Sequence, residues 1–159
     1  MNSDRLLAEE RAIKVSALKQ GTVIDHLRAG TGLRVINVLG LSESDATVSI
    51  GLNLDSHRMG RKDLIKIENW ELSRGEVNKI AILSPDATLS IIRNFEVVDK
   101  LGPELEDVLE AIVQCRNPSC ISNHEQISSR FVVAARTPTL HLRCDYCERS
   151  VPVEEIELL

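Results

Sequence analysis

An α+β fold in two parts is what the sequence predicts. An antiparallel sheet domain with two helices spans residues 1–102, and a small β-domain spans residues 103–159. Three observations predict it. Residues 14–101 alternate between strand and helix patterns in the order β-α-β-β-α-β, with one extra strand. "KLGPELED", with Gly102, Pro103 and several charges, interrupts the alternation and reads as a linker. All four cysteines then fall in the last third of the chain.

The elements follow in order. Residues 1–12 have charged helical character. "IKVSALK" is rich in β-formers, and "GTVIDH", 21–26, ends that first strand with Asp25 and His26. "TGLRVINVLGL" places Leu33, Ile36 and Leu39 at helical spacing, with Val35 and Val38 alongside. "ATVSIGLNL" alternates, putting Val48, Ile50, Leu52 and Leu54 on one side of a strand. "RKDLIKIEN" puts Ile65 and Ile67 on one face and Lys62 and Lys66 on the other. Ser73-x-x-Glu76 is a capping box opening a second helix in "SRGEVNKIAIL". Pro85 marks a turn before "ATLSIIRNFEVVDKL", which holds one or two further strands. Helices on one face of such an antiparallel sheet make the ferredoxin-like arrangement. That fold hosts many functions and names none.

Composition narrows the classes. The chain has 159 residues, 43% hydrophobic and 27% charged, which is globular rather than disordered. A net charge of −5 disfavours nonspecific nucleic-acid binding, and 3% aromatic content is too little for a base-stacking platform. "MNSDRLLAEERAIK" lacks the apolar stretch of a signal peptide. The longest uninterrupted apolar run, Phe131 to Ala135, is far below a membrane span. The expected setting is the cytoplasm, where clustered cysteines suggest metal or catalysis before disulfides.

The cysteine pattern is Cys115-x4-Cys120, 23 residues, then Cys144-x2-Cys147. Two close pairs on separate turns converge on one tetrahedral ion, and zinc suits four thiolates. With no position left for water, such a site is structural, one Zn2+ per chain. Arg116, Arg143 and Arg149 lie beside the ligands, where they offset leftover negative charge or are simply solvated. Free buried thiols, a redox pair at Cys144-x2-Cys147 and an iron–sulfur cluster are the alternatives. Residues 105–159 form a segment of about 55 residues, where an apolar core alone is marginal. Structural zinc supplies on the order of 10 kcal/mol to folding. "SSRFVVAART" and "LHLRC" supply strands between the ligand loops, so this part reads as a zinc-bound β-domain.

Anion-binding candidates in the first domain are Asp25 and His26, then Arg61, Lys62 and Lys66, then Lys100. Lysines are mobile point charges suited to a polyphosphate. Composition alone reads them as a solvated strand face, and His26 as a strand-end residue. No catalytic set emerges: Gly-x-Ser-x-Gly, Walker and His-Glu-x-x-His patterns are missing, and His57, His124 and His141 have no nucleophile beside them in sequence. A stand-alone zinc-ribbon module acting on nucleic acid is the rival reading, opposed by the charge and the scarce aromatics.

Taken together, "KQGTVIDHL", "VSIGLNL", "MGRKDLIKIEN", "NFEVVDK", "CRNPSCISNHE" and "CDYCE" resemble the regulatory chain of aspartate carbamoyltransferase, in order from about Val15 to Glu148. The resemblance implies a non-catalytic chain with an N-terminal nucleotide-binding allosteric domain and a C-terminal zinc domain. It implies a homodimer through the first domain and docking to catalytic trimers of pyrimidine biosynthesis through the second. It implies cytidine triphosphate (CTP) as inhibitor and adenosine triphosphate (ATP) as activator, as effectors rather than cofactors. By the same resemblance Cys115, Cys120, Cys144 and Cys147 are the zinc ligands. Val15, Ala17, Leu18 and Val23 wall the base, and Asp25 and Lys66 lie near the ribose. His26, Lys62, Val97 and Lys100 surround sugar and phosphates, and Ile92 and Phe95 line the other side. Asn117 and Glu148 face the catalytic chain. Three positions depart from the family pattern: Ser16 for Glu, Ser90 for Asn in the nucleotide site, and Phe95 for Tyr. These bear on base preference and leave the phosphate set intact.

Overall fold

The computed structural model describes residues 17–159, so the expectations for residues 1–12 and for Val15 and Ser16 lie outside the described residues. The chain forms two compact units: residues up to Leu72 with Asp86–Gly102, and Ser73–Pro85 with Pro103–Leu159.

In the first unit five strands form one antiparallel sheet. They are β1 (Gly21–Arg28), β2 (Val48–Ser56), β3 (Gly60–Glu68), β4 (Thr88–Arg93) and β5 (Glu96–Leu101), in the order β2-β3-β1-β4-β5. The first four follow the ferredoxin-like order and β5 is the extra strand on the edge. The first described strand begins at Gly21; residues 13–16 of the β-rich run "IKVSALK" lie outside the described residues, and residues 17–19 are not in a strand. Gly21 opens the strand with φ 143°, and a Cβ there would lie 2.0 Å from the Ile67 carbonyl oxygen. Only glycine allows that approach.

Burial follows the strand period, interrupted by two bulges. Thr22 and Ile24 point into the core, the register of β1 against β3 shifts between Ile24 and Leu27, and Leu27 takes the next core position at 0% exposure. His26, at φ 54°, is the residue that absorbs the shift. A second shift, between Gly51 and Leu54 in β2 with Asn53 at φ 55°, breaks the alternation expected of "ATVSIGLNL" and leaves Ile50 and Leu52 exposed. Ile65 and Ile67 of β3 are fully buried, as their spacing predicts.

The short helix α1 (Gly32–Val38) buries Val35 and Leu39 of the expected residues but turns Leu33 outward. Gly32, Val35 and Leu39 are buried, while Leu33 is 57% exposed. Both stripes have helical spacing, and a close approach decides between them. A Cβ on Gly32 would lie 3.0 Å from both the Asp63 carboxylate and the Leu52 side chain, so this face turns inward. Asp63 is 1% exposed and explains the arrangement. Its Oδ2 accepts from the Gly30 and Gly32 N–H groups at 3.0 and 2.8 Å, and its Oδ1 accepts from Asn53 N–H at 2.9 Å. One buried carboxylate thus ties the start of α1 and the β2 bulge to β3.

In the second unit, α2 (Arg74–Leu83) carries the predicted capping box. Ser73 Oγ accepts from Glu76 N–H, and Glu76 Oε2 accepts from Ser73 N–H at 2.8 Å. A four-stranded antiparallel sheet has the order β10-β9-β8-β6, formed by β6 (Val108–Glu110), β8 (Arg130–Ala135), β9 (His141–Cys144) and β10 (Ser150–Pro152). The pair β7 (Val113–Gln114) and β11 (Glu157–Leu158) stands beside it in the count of strands. Phe131, Leu109, Val113, Leu142, Ile112 and Ile156 form the core with three of the cysteines, and Ile82 of α2 joins them. Asn78, 3% exposed, fastens α2 to the segment after Pro103. Its side-chain amide donates to Glu106 Oε2 at 2.8 Å and accepts from Glu106 N–H at 2.9 Å. Among the described residues no helix is long and apolar enough to cross a membrane.

Removing the Asp63 carboxylate leaves three N–H groups without their acceptor. Asp63→Ala is expected to lower unfolding stability by about 3 kcal/mol or more, with Asp63→Asn, which keeps one acceptor oxygen, falling in between. Urea unfolding followed by the fluorescence of Trp70, the only tryptophan, reads the first unit directly. Equal stability of all three proteins would contradict the role given to Asp63.

Candidate functional site

The four cysteines come from two loops and a strand end. Cys115 follows β7, and Cys120 closes the loop after it with its N–H bonded to the Asn117 carbonyl. Cys144 ends β9, and Cys147 lies on the turn in which Glu148 N–H bonds to the Cys144 carbonyl at 2.9 Å. The Asn123 side chain donates to the carbonyls of Cys115 and Asn117 at 2.8 and 2.9 Å, holding the first loop closed. All four sulfurs lie within 4.8 Å of one another, with Cys115–Cys147 at 3.7 Å and Cys120–Cys144 at 3.8 Å. A tetrahedral ion held by thiolates at about 2.3 Å has sulfur–sulfur edges of about 3.8 Å. The set therefore fits a single ion. An iron–sulfur cluster spreads its four thiolates over two or four irons and needs a wider cage than this.

The thiols also differ in acidity, which a shared cation would level. Burial pushes Cys115 up to about 12 and raises Cys144. At Cys147 burial is outweighed by the Arg149 backbone N–H, the Asn117 side chain and the neighbouring thiols, which bring it down to about 7. Cys120 is lowered too, against burial, by Ser122, whose hydroxyl lies 3.1 Å from the sulfur. Four thiolates at neutral pH need a positive ion among them.

A second constellation lies on one face of the five-stranded sheet. Cross-strand partners share a face. The register sets Lys66 of β3 against Val23 of β1, Val23 against Ser90 of β4, and Ser90 against Lys100 of β5. The neighbouring row runs from Gly21 through Ile92 to Val97, and on the other side Asp25 stands against Thr88. Lys62 Nζ meets Asp25 Oδ1 at 2.8 Å, and His26 N–H donates to the same oxygen at 2.6 Å. The His26 ring places Nδ1 at 3.1 Å from Thr88 Oγ1.

These neighbours set the charges. Burial opposes ionisation of Asp25, but the Lys62 ammonium and the His26 backbone N–H together hold its carboxyl below the usual range. Burial lowers His26, with Lys62, Arg58 and Lys100 adding to it and Asp25 opposing. Burial also lowers Lys66, again against Asp25.

The remaining residues singled out in the sequence are placed as follows. Leu18 is buried and Ala17 exposed, just before β1. Phe95 is 63% exposed and occupies the two-residue β4–β5 turn with Asn94, both at positive φ. Its N–H donates to the Lys19 carbonyl at 3.1 Å, which ties the turn to the segment carrying Ala17 and Leu18. In the second unit Asn117 Oδ1 accepts from Ser119 N–H, and Glu148 is exposed at φ 62° beside the cysteines.

Two families match, end to end. One is described as aspartate carbamoyltransferase regulatory chain, allosteric domain, over residues 13–104, and the other as the metal binding domain of the same chain, over residues 107–157. The chain belongs to the aspartate carbamoyltransferase regulatory chain family. Curated regulatory chains of Pyrococcus horikoshii and Pyrococcus abyssi are each 49% identical over 146 residues, covering 91% of this chain and 95% of theirs. That of Methanothrix thermoacetophila is 44% identical over 152 residues, covering 94% and 98%. The polypeptide is thus a regulatory rather than a catalytic chain, and its second part is metal-binding.

Sequence reasoning missed two polar residues of this regulatory chain. Thr88 lies two positions before Ser90 on the same strand face, a period-2 signal that was available. Asp63 shares the parity of Ile65 and Ile67, and its burial follows from that phase.

The single tryptophan and the single tyrosine separate the two units spectroscopically, Trp70 in the first and Tyr146 in the second. Stripping the metal with a thiol-reactive mercurial is expected to titrate four thiols, release one ion per chain and change the Tyr146 signal as its hydroxyl loses the Ser128 carbonyl, 3.0 Å away in the fold, while the Trp70 emission stays unchanged. A native Tyr146 signal after complete metal loss would refute the dependence of this unit on the ion.

Proposed function

We propose that this regulatory chain binds nucleoside triphosphates on the Lys62–Lys66–Lys100 face of its first unit and thereby sets the activity of aspartate carbamoyltransferase catalytic trimers in the cytoplasm, as a step of control in pyrimidine biosynthesis. One observation carries the reading. The register gathers Val23, Lys66, Ser90 and Lys100 into one row across four strands, with Asp25, His26 and Lys62 beside it. In a chain of net charge −5, that local set of cations focuses an anionic ligand. Val23, Ile92 and Val97 supply apolar surface for a base and sugar, and Ala17, Leu18 and Phe95 border that end. Val15 belongs to the same proposed wall. CTP acts as inhibitor and ATP as activator. Both make the same ribose and phosphate contacts, so discrimination falls to the base end, where Ser90 and Phe95 stand.

The metal is zinc, one structural ion per chain on Cys115, Cys120, Cys144 and Cys147. A closed tetrahedral thiolate set favours it. The zinc unit docks on the catalytic chain, with Asn117 and Glu148 at the contact. A functional boundary between residues 102 and 103 separates nucleotide binding from docking. Two chains pair through the first domain, and the edge strand β2 supports this by exposing Ile50 and Leu52, with Leu33 of α1 lining the same hollow as Leu52.

Regulation requires contacts that differ between two global states of the enzyme, with a coupling on the order of 1–3 kcal/mol. The chain offers a covalent route. Helix α2 leaves β3, which carries Lys62 and Lys66, and returns into β4, which carries Ser90 and Ile92, yet it folds with the metal unit through Ile82 and the Asn78–Glu106 pair.

Lys62→Ala and Lys100→Ala are expected to weaken CTP binding at least tenfold each, about 1.4 kcal/mol, and to flatten its dependence on salt, while metal content stays at one ion per chain. Calorimetry reads both. Unchanged affinity in both variants would reject the phosphate assignment. Failure of the wild-type chain to co-purify with carbamoyltransferase trimers would reject the regulatory role.

A further inference from the structure

Asn117 lies in the first metal loop, between Cys115 and Cys120, and each of its polar groups is engaged. Its carbonyl accepts from Cys120 N–H at 3.0 Å and from the Asn123 side-chain amide at 2.9 Å. Its backbone N–H donates to the Cys115 sulfur. Its Oδ1 accepts from Ser119 N–H at 3.1 Å, an Asx turn that fixes which way the amide faces. With the oxygen taken, the nitrogen is the end left for the other loop, and there it donates to the Cys147 sulfur. Ser122 Oγ lies 3.1 Å from the Cys120 sulfur, but both belong to the first loop. Asn117 reaches from the first loop to a sulfur of the second. Four thiolates around one divalent ion keep net negative charge, which N–H donors to sulfur offset. The donor matters most at Cys147. Cys115, Cys120 and Cys144 are buried and held by the core, whereas Cys147 is half-buried, where water competes for its place on the ion.

We propose that Asn117 is a positioning residue of the metal site: its side-chain amide holds the least buried thiolate, Cys147, on the ion and sets how readily the chain surrenders its metal. It does so by tying Cys147 to Cys115, whose sulfur lies 3.7 Å away on the first loop. The Asn123 side chain supports this from behind, closing the loop on the carbonyls of Cys115 and Asn117. A residue proposed above for the catalytic-chain contact thus also acts inward, on the ion. The inference rests on the four-cysteine metal site and is independent of the nucleotide-binding face.

The test compares the full chain with two variants that keep the turn and lose the donor. Asn117→Ser retains an acceptor for Ser119 N–H, adds no charge and is too short to reach Cys147. Asn117→Asp retains both the size and the Oδ1 acceptor. Transfer of zinc to an excess of a chelating dye is expected to run about tenfold faster or more in both variants than in wild type. With cobalt in place of zinc, the thiolate-to-metal charge-transfer band should move to longer wavelength in Asn117→Ser, because a thiolate without its donor gives up charge more easily. With cadmium-113 in the site, one Asn117 side-chain amide proton of wild type should show coupling to the metal through the sulfur. Transfer rates within about twofold of wild type in both variants, an unmoved cobalt band, or no cadmium coupling at that amide would each overturn the inference while leaving the metal site intact. A wild-type chain that binds none of the three ions would instead sink the metal-site reading, and the inference with it. Should neither variant fold around an ion, the cadmium coupling in wild type decides the matter alone.

Discussion

Four sulfurs drawn to within 4.8 Å of one another are the constraint on which the second unit depends. Three of those cysteines are buried among Phe131, Leu109, Leu142 and Ile156, so the metal site is part of the core rather than an ornament on it. Strands of two to six residues close little apolar area by themselves, and an ion bound by four thiolates contributes on the order of 10 kcal/mol to folding. The same core includes Ile82, from a helix whose sequence position is between two strands of the other sheet. Metal site, second-unit strands and crossover helix therefore form one compact body.

The first unit is organised by a different device. Two bulges, at His26 and Asn53, move side chains from the phase that simple alternation would give them. Asp63 holds the second bulge and the start of α1 by three N–H bonds, and the first bulge turns His26 toward Asp25 and Thr88. The bulge at His26 costs backbone strain, and that strain lies beside the cationic face.

Much of this was legible in the residues. The paired cysteine spacing pointed to convergence because each close pair is a turn and two turns meet at an ion. Ser73 and Glu76 announced the start of α2, since both halves of the capping box are local. Ile65 and Ile67 followed from period 2. What could not be read depended on contacts distant in sequence. Leu33 and Gly32 both fit a helical stripe, and only the approach of Asp63 settles which faces inward. The need for glycine at position 21 could not be read either, because it comes from the Ile67 carbonyl, far away in sequence. The allegiance of α2 to the second unit left no local trace, because Asn78 and Glu106 are ordinary polar residues until they meet. The proposed nucleotide face rests on family resemblance joined to the strand register, since lysines on a strand carry little information by themselves.

Amide hydrogen exchange, compared between the metal-loaded and metal-stripped chain, tests the central claim most directly. If the thiolate site holds one cooperative body, stripping the ion abolishes protection in residues 103–159 and in α2 together, while β1, β3 and β4 keep theirs. Continued protection of the strands β8 and β9 after metal removal, or of α2 once they have opened, would contradict it.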